Sequence, residues 1–139
     1  MPYRDSPALL RPTLAEQTFA WFHRIIAAYC LLFGSLYWVR LIGYYDGPLW
    51  RFDLMPVHWQ VAATILAAIY PFAGIGLWML SSWGPVIWVI CAMIEIVMYA
   101  GFPDLFGGKT TIVVSHTLVA VLYAAFRVVL YFQRRQAAR

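Results

Sequence analysis

LMPVHWQVAATILAAIYPFAGIGLWMLSSWGPVIWVICAMI, residues Leu54–Ile94, decides the fold. These 41 positions hold no Asp, Glu, Lys or Arg. A helix crosses the hydrocarbon core of a bilayer in about 20 residues. The stretch is too long for one crossing and long enough for two. Ser81-Ser82-Trp83-Gly84-Pro85, in its second half, is a turn signal. The reading is a helical hairpin, with helix two over about 57–80 and helix three over about 85–101. Pro85 falls in a first turn, where proline is tolerated. Pro71, followed by Gly74 and Gly76, predicts a kink in helix two, with the freed carbonyls satisfied by neighbouring helices.

Working outward, Thr13-Leu14-Ala15-Glu16 has the pattern of a capping box and opens helix one, over about 14–43. Its first turns are expected at the membrane surface, with Leu14, Phe19 and Trp21 toward the headgroups. Its apolar part, Ile25 to Val39, is bracketed by Arg24 and Arg40, which can snorkel to opposite interfaces. Leu31 to Tyr45 is bulky and offers no small-residue cleavage site, so this reads as a retained helix rather than a signal peptide. Asp46-Gly47-Pro48 marks a turn in a loop whose aromatics, Tyr44, Tyr45, Trp50 and Phe52, favour the membrane–water interface. Phe102 to Lys109 is a second loop, and helix four covers about 110–132. Residues 1–12 read as an irregular cytoplasmic tail, 13–133 as the four-helix domain and 134–139 as a basic cytoplasmic tail.

Composition agrees. Of 139 residues, 63% are hydrophobic and 12% charged, against about 45–50% and about 25% in soluble domains. A soluble monomer of this size could not cover that apolar surface. A disordered tail, a collagen-like fibre and a disulfide-rich secreted domain are excluded by the same figures. The predicted fold is all-α, an integral membrane antiparallel four-helix bundle.

Charge sets the orientation. Arg4, Arg11, Arg24, Arg134, Arg135 and Arg139 lie on the side of the termini, and Arg40, Arg51 and Lys109 on the other. Asp5 and Glu16 bring the first side to +4, while Asp46, Asp53 and Asp104 bring the second to zero. By the positive-inside rule both termini are cytoplasmic, in a bacterial inner membrane. The whole net charge of +4 is thereby used, and nucleic acid is not needed as a partner. The basic C-terminal tail can also touch anionic headgroups. The bilayer is the first partner, and a homo-oligomer or other membrane proteins are the expected second.

Two ionisable residues lie where an unpaired charge costs several kcal/mol: Glu95 in helix three and Arg127 in helix four. His116, Tyr123 and Arg127, at i, i+7 and i+11, share a face of helix four; Cys91, Glu95, Met98 and Tyr99 share one of helix three. The candidate site is the intramembrane polar cluster Glu95, His116, Tyr123 and Arg127, with Glu95 paired to Arg127 and Tyr123 or His116 donating to the carboxylate. A neutral, protonated Glu95 is the alternative, because apolar surroundings disfavour a carboxylate. Such a cluster can be glue between helices, or a proton relay, quinone headgroup site or substrate site.

His58 and His116 stand on different helices and could in principle ligate haem iron. Their estimated depths differ, however, and no third feature supports haem. His23 beside Arg24 reads as interfacial. Cys30 and Cys91 lie in apolar runs without CxxC or Cys/His zinc spacing, and read as buried, inert thiols. Trp21, Trp38, Trp50, Trp59, Trp78, Trp83 and Tyr99 form an aromatic belt near predicted helix ends. Ala63, Ala67 and Gly74 permit close helix approach. No phosphate loop, nucleophile elbow, metal cluster or Ser/His/Asp arrangement is present. No metal is expected, and a quinone is the one cofactor the cluster would suit.

The stretch Trp59 to Tyr99, above all Pro71-Phe72-Ala73-Gly74-Ile75-Gly76-Leu77-Trp78 leading into Ser81-Ser82-Trp83-Gly84-Pro85, resembles the DoxX-like small bacterial inner-membrane proteins. The resemblance implies four helices with cytoplasmic termini and a kinked second helix. DoxX-like members usually carry an acid just before the glycine-rich part. Here that place reads Ile69-Tyr70-Pro71-Phe72, so the resemblance carries the architecture and not the quinone or thiosulfate chemistry. The expected function is a non-catalytic accessory, assembly or interaction subunit of a membrane complex. A quinone-linked or redox protein of DoxX-like type using the polar cluster is the alternative. A small transporter acting as an oligomer is a third reading.

Overall fold

The structure, a computed structural model, describes residues 12–139. The tail expected over 1–12 lies almost wholly outside them. The described chain is helical: α1 (Leu14–Ile42), a 3₁₀ turn (Phe52–Leu54), α2 (Val57–Trp78), α3 (Trp83–Ile96) widening into a π-helical turn (Val97–Gly101), α4 (Pro103–Phe106) and α5 (Thr110–Ala137). Four of these are long and apolar enough to cross a membrane: α1, α2, α3 with its widened end, and α5.

The capping box at the start of α1 is present. The Glu16 amide donates to Thr13 Oγ1 at 3.2 Å, and the Thr13 amide donates to Glu16 Oε2 at 3.1 Å. Two donors that a helix leaves open at its start are thus satisfied reciprocally. The helix ends on Gly43, which takes the left-handed conformation (φ 76°) while its N–H donates to the Val39 carbonyl.

α2 runs unbroken through Pro71. Proline has no N–H, so the Ala67 carbonyl loses its helical donor. Trp38 Nε1 of α1 supplies one at 2.9 Å. The two helices meet there over small residues, as a Cβ added at Gly34 would stand 3.1 Å from Pro71 Cδ, and one at Gly74 only 2.8 Å from Leu31 Cγ. Ala27, Ala63, Ala67 and Ala73 fill the rest of the seam.

The turn into α3 starts earlier than Ser81. Leu80 is left-handed (φ 57°), and both the N–H and the Oγ of Ser81 donate to the Gly76 carbonyl, at 3.0 and 2.8 Å. Helix three begins at Trp83 rather than Pro85. Pro85 then takes the third helical position, where a missing N–H costs nothing because it has no intrahelical acceptor. Gly84 sits against the backbone of Gly76, so closely that a Cβ on it would fall 2.5 Å from the Gly76 carbonyl carbon.

α5 packs on the others by a narrow stripe. Only His116 and Leu130 of its 28 residues are buried. The basic residues Arg134 and Arg135 lie in its last turn, and the helix ends at Ala137, a little over one turn beyond the expected end.

Candidate functional site

The four long helices meet around Glu95. Its side chain is 1% exposed. The hydroxyl of Tyr37, from α1, donates to Oε1 at 2.7 Å, and Nε2 of His116, from α5, lies 2.5 Å from Oε2. From α2 comes Tyr70, 0% exposed, whose hydroxyl is sealed from solvent and lies near the Glu95 carboxylate without a well-formed hydrogen bond among the described residues. Its ring stacks on that of Tyr37, centroids 6.0 Å apart. Cys91, Glu95, Met98 and Tyr99, the expected shared face of α3, are all buried. Trp88 approaches the His116 ring edge-on at 5.9 Å. Each long helix therefore contributes a polar side chain to a common centre shielded from solvent.

The residues expected in one cluster divide between two places. Glu95 and His116 are in contact. Tyr123 instead packs against Phe19 and His23 of α1, with centroid separations of 5.8 Å to both rings. Arg127 is exposed, its guanidinium carbon 6.0 Å from the Tyr123 ring, beside a cleft that Glu16 and Arg134 also line. The expected Glu95–Arg127 pair does not form. The shared face of α5 is real, but eleven residues at about 1.5 Å each separate Arg127 from His116 by about 16 Å. A long side chain placed there reaches the polar end of the helix, not its middle.

His23 is also displaced from its expected role. It is buried rather than interfacial, and its Nδ1–H donates to the Phe19 carbonyl at 2.9 Å. His58 Nε2–H donates to the Leu105 carbonyl at 2.9 Å and pins α4 to the start of α2. With His116 engaged by Glu95, the two histidines have separate tasks. Cys30 and Cys91 are buried with free thiols.

Sequence reasoning missed Tyr37 and Tyr70; Tyr99 it placed on the Glu95 face but also counted with the aromatic belt. A tyrosine in an apolar run looks like belt, and its depth shows only once the helices are packed. It also missed the π-helical turn that starts two residues after Glu95, closed by the Phe102 N–H donating to the Val97 carbonyl at 3.1 Å. Such turns are common beside functional sites.

The centre connects to one end of the molecule. Tyr37 and Tyr99 form part of the wall of a cavity of about 60 Å³, with Arg40, Lys109, Phe33 and Ile112. Tyr37 thus belongs both to this wall and, through its hydroxyl, to the Glu95 centre. Residues 17–134 match the model of DUF6163, a family of unknown function. The chain belongs to DUF6163. The match spans all four long helices and every residue of the buried centre. No curated protein and no solved structure matches the chain.

The pair has a restricted chemistry. Glu95 and His116 can hold one shared proton as imidazolium–carboxylate or as imidazole–carboxylic acid, both of net charge zero. Removing that proton leaves −1 in an apolar core, and adding another leaves +1. Either charge costs several kcal/mol there. Tyr37 donates to Oε1 in every one of these states.

Proposed function

We propose that this chain is a small multi-pass membrane protein whose working part is a proton-holding site, Glu95–His116, placed between its four crossing helices. One observation carries the reading: a carboxylate and an imidazole in direct contact at 1% and 3% exposure, touched by one polar group from each remaining long helix. A pair that resists any change of net charge exchanges its proton only when another charge, or the membrane potential, offsets the cost. That is the property a redox, quinone-linked or transport step needs of the protein that hosts it. The four helices form an antiparallel bundle with both termini cytoplasmic.

The test is proton movement. Wild type and Glu95→Gln are reconstituted in vesicles enclosing a pH-sensitive dye, and a membrane potential is imposed with valinomycin and potassium. The wild type is expected to carry protons above the rate of protein-free vesicles, and the folded glutamine variant to fall to that rate. Equal rates in the two proteins would refute the reading.

A second reading, a non-catalytic accessory or self-associating subunit, is favoured by α5. Its outward side exposes Val114, Leu118, Val121, Val128 and Val129 along the helix. In a bilayer that face meets either lipid or another helix. A stoichiometric partner that co-purifies in mild detergent and protects this face from cross-linking supports it.

A further inference from the structure

Arg40, on the last turn of α1, is a cation without an acid. Its guanidinium carbon lies 4.6 Å from the ring centroid of Trp50, 5.3 Å from Trp59 and 5.9 Å from Tyr37. Rings hold a guanidinium in place but leave its charge unbalanced. Its Nη1 is sealed from solvent and has no hydrogen-bond acceptor among the described residues. Across the same cavity stands Lys109, its Nζ 5.6 Å from the ring of Tyr99. Partial burial, and Arg40 itself, hold the Lys109 ammonium below the usual lysine range, and the more distant Glu95 offsets this in part.

Nothing acidic lines the cavity. Nearby, Arg51 takes both loop carboxylates, Asp53 at 2.9 Å and Asp46 at 3.8 Å. Arg40 and Lys109 have no ion pair among the described residues. Two cations therefore face one small space, one of them with a donor aimed at no acceptor.

We propose that this cavity is a phosphate site, in which Arg40 and Lys109 together hold one phosphate group. Arginine presents paired N–H donors that match two phosphate oxygens, and lysine adds a point charge. At about 15 Å³ per water-sized probe, the space takes about four oxygen-sized atoms. That suits a single phosphate and excludes a nucleotide. Leu36, on the cavity wall and also exposed on the outside of α1, continues it as an apolar strip where the rest of a lipid would lie. The phosphate can belong to an anionic phospholipid or to a small soluble compound. The site does not depend on proton exchange at Glu95, and either can fail alone.

Tryptophan fluorescence reports binding, because Trp50 and Trp59 are stacked on Arg40. Wild type, Lys109→Gln and Arg51→Gln are titrated in a non-ionic detergent with phosphatidylglycerol, and separately with inorganic phosphate. Lys109 is exposed, so its variant folds; Arg51, already paired with Asp53, is the control. The wild type and Arg51→Gln are expected to saturate, and Lys109→Gln to bind about tenfold more weakly. Saturation with phosphatidylglycerol alone assigns the phosphate to a lipid, and saturation with inorganic phosphate assigns it to a soluble ligand. No saturation with either probe, or equal affinity in all three proteins, overturns the proposal.

Discussion

Glu95 is held by two donors that are themselves buried, which makes its replacements informative. Glutamine keeps the size of the side chain and can accept from Tyr37 and bond to His116, so Glu95→Gln stays folded. Leucine leaves the Tyr37 hydroxyl and His116 Nε2 without a partner in the core. At about 1–3 kcal/mol for each orphaned group, Glu95→Leu should lose about 2–6 kcal/mol of stability in detergent, read by thermal unfolding against the glutamine variant. Equal midpoints would mean that neither donor depends on the carboxylate. Glu95 and His116 were legible in the sequence because each interrupts an apolar run. Arg127 drew the same attention for the same reason, but the length of its side chain allows it to leave the core. Tyr37 and Tyr70 escaped notice because a tyrosine near a helix end looks identical to one that packing draws to the centre.

Among the helices, close approach is the controlling feature. Gly84 lies against the backbone of Gly76, which cannot give way as a flexible side chain can. Gly84→Ala should therefore force α2 and α3 apart and cost about 1–3 kcal/mol, the usual range for overpacking. The check is the unfolding midpoint of the variant, and a midpoint within error of wild type would contradict the packing described. Pro71 gives the matching case for hydrogen bonding, since the carbonyl it frees is met by Trp38 of the neighbouring helix. The sequence announced the need through the proline but could not name the donor, because which indole stands opposite depends on how α1 and α2 are rotated. Helix existence was legible from hydropathy alone. The start of α3, the π-helical turn after it and the short α4 were not, since local capping and packing decide them and leave no periodic trace.

For the whole molecule, charge and apolar length act together. With one crossing for each long helix, the two ends of the chain would share one side, and the excess of arginine near those ends predicts that side to be cytoplasmic. Reporter domains fused after Arg139 and inserted at Gly47 should mark opposite sides of the membrane, and a common side would contradict the four-crossing topology. The long helices also place the ionisable groups by depth, with Arg24 and Arg127 toward the terminal end, Glu95 and His116 between, and Arg40 and Lys109 toward the loop end. The central claim is that Glu95 and His116 form one protonatable unit rather than fixed glue. Nuclear magnetic resonance of the protein in lipid nanodiscs, with the Glu95 carboxyl carbon and the His116 ring nitrogens labelled, tests it most directly. The account predicts that neither the carboxyl nor the imidazole signal moves alone as pH changes, and that the His116 signals are displaced in Glu95→Gln. Separate transitions of the carboxyl and the imidazole, or His116 signals that are unchanged in Glu95→Gln, would contradict it.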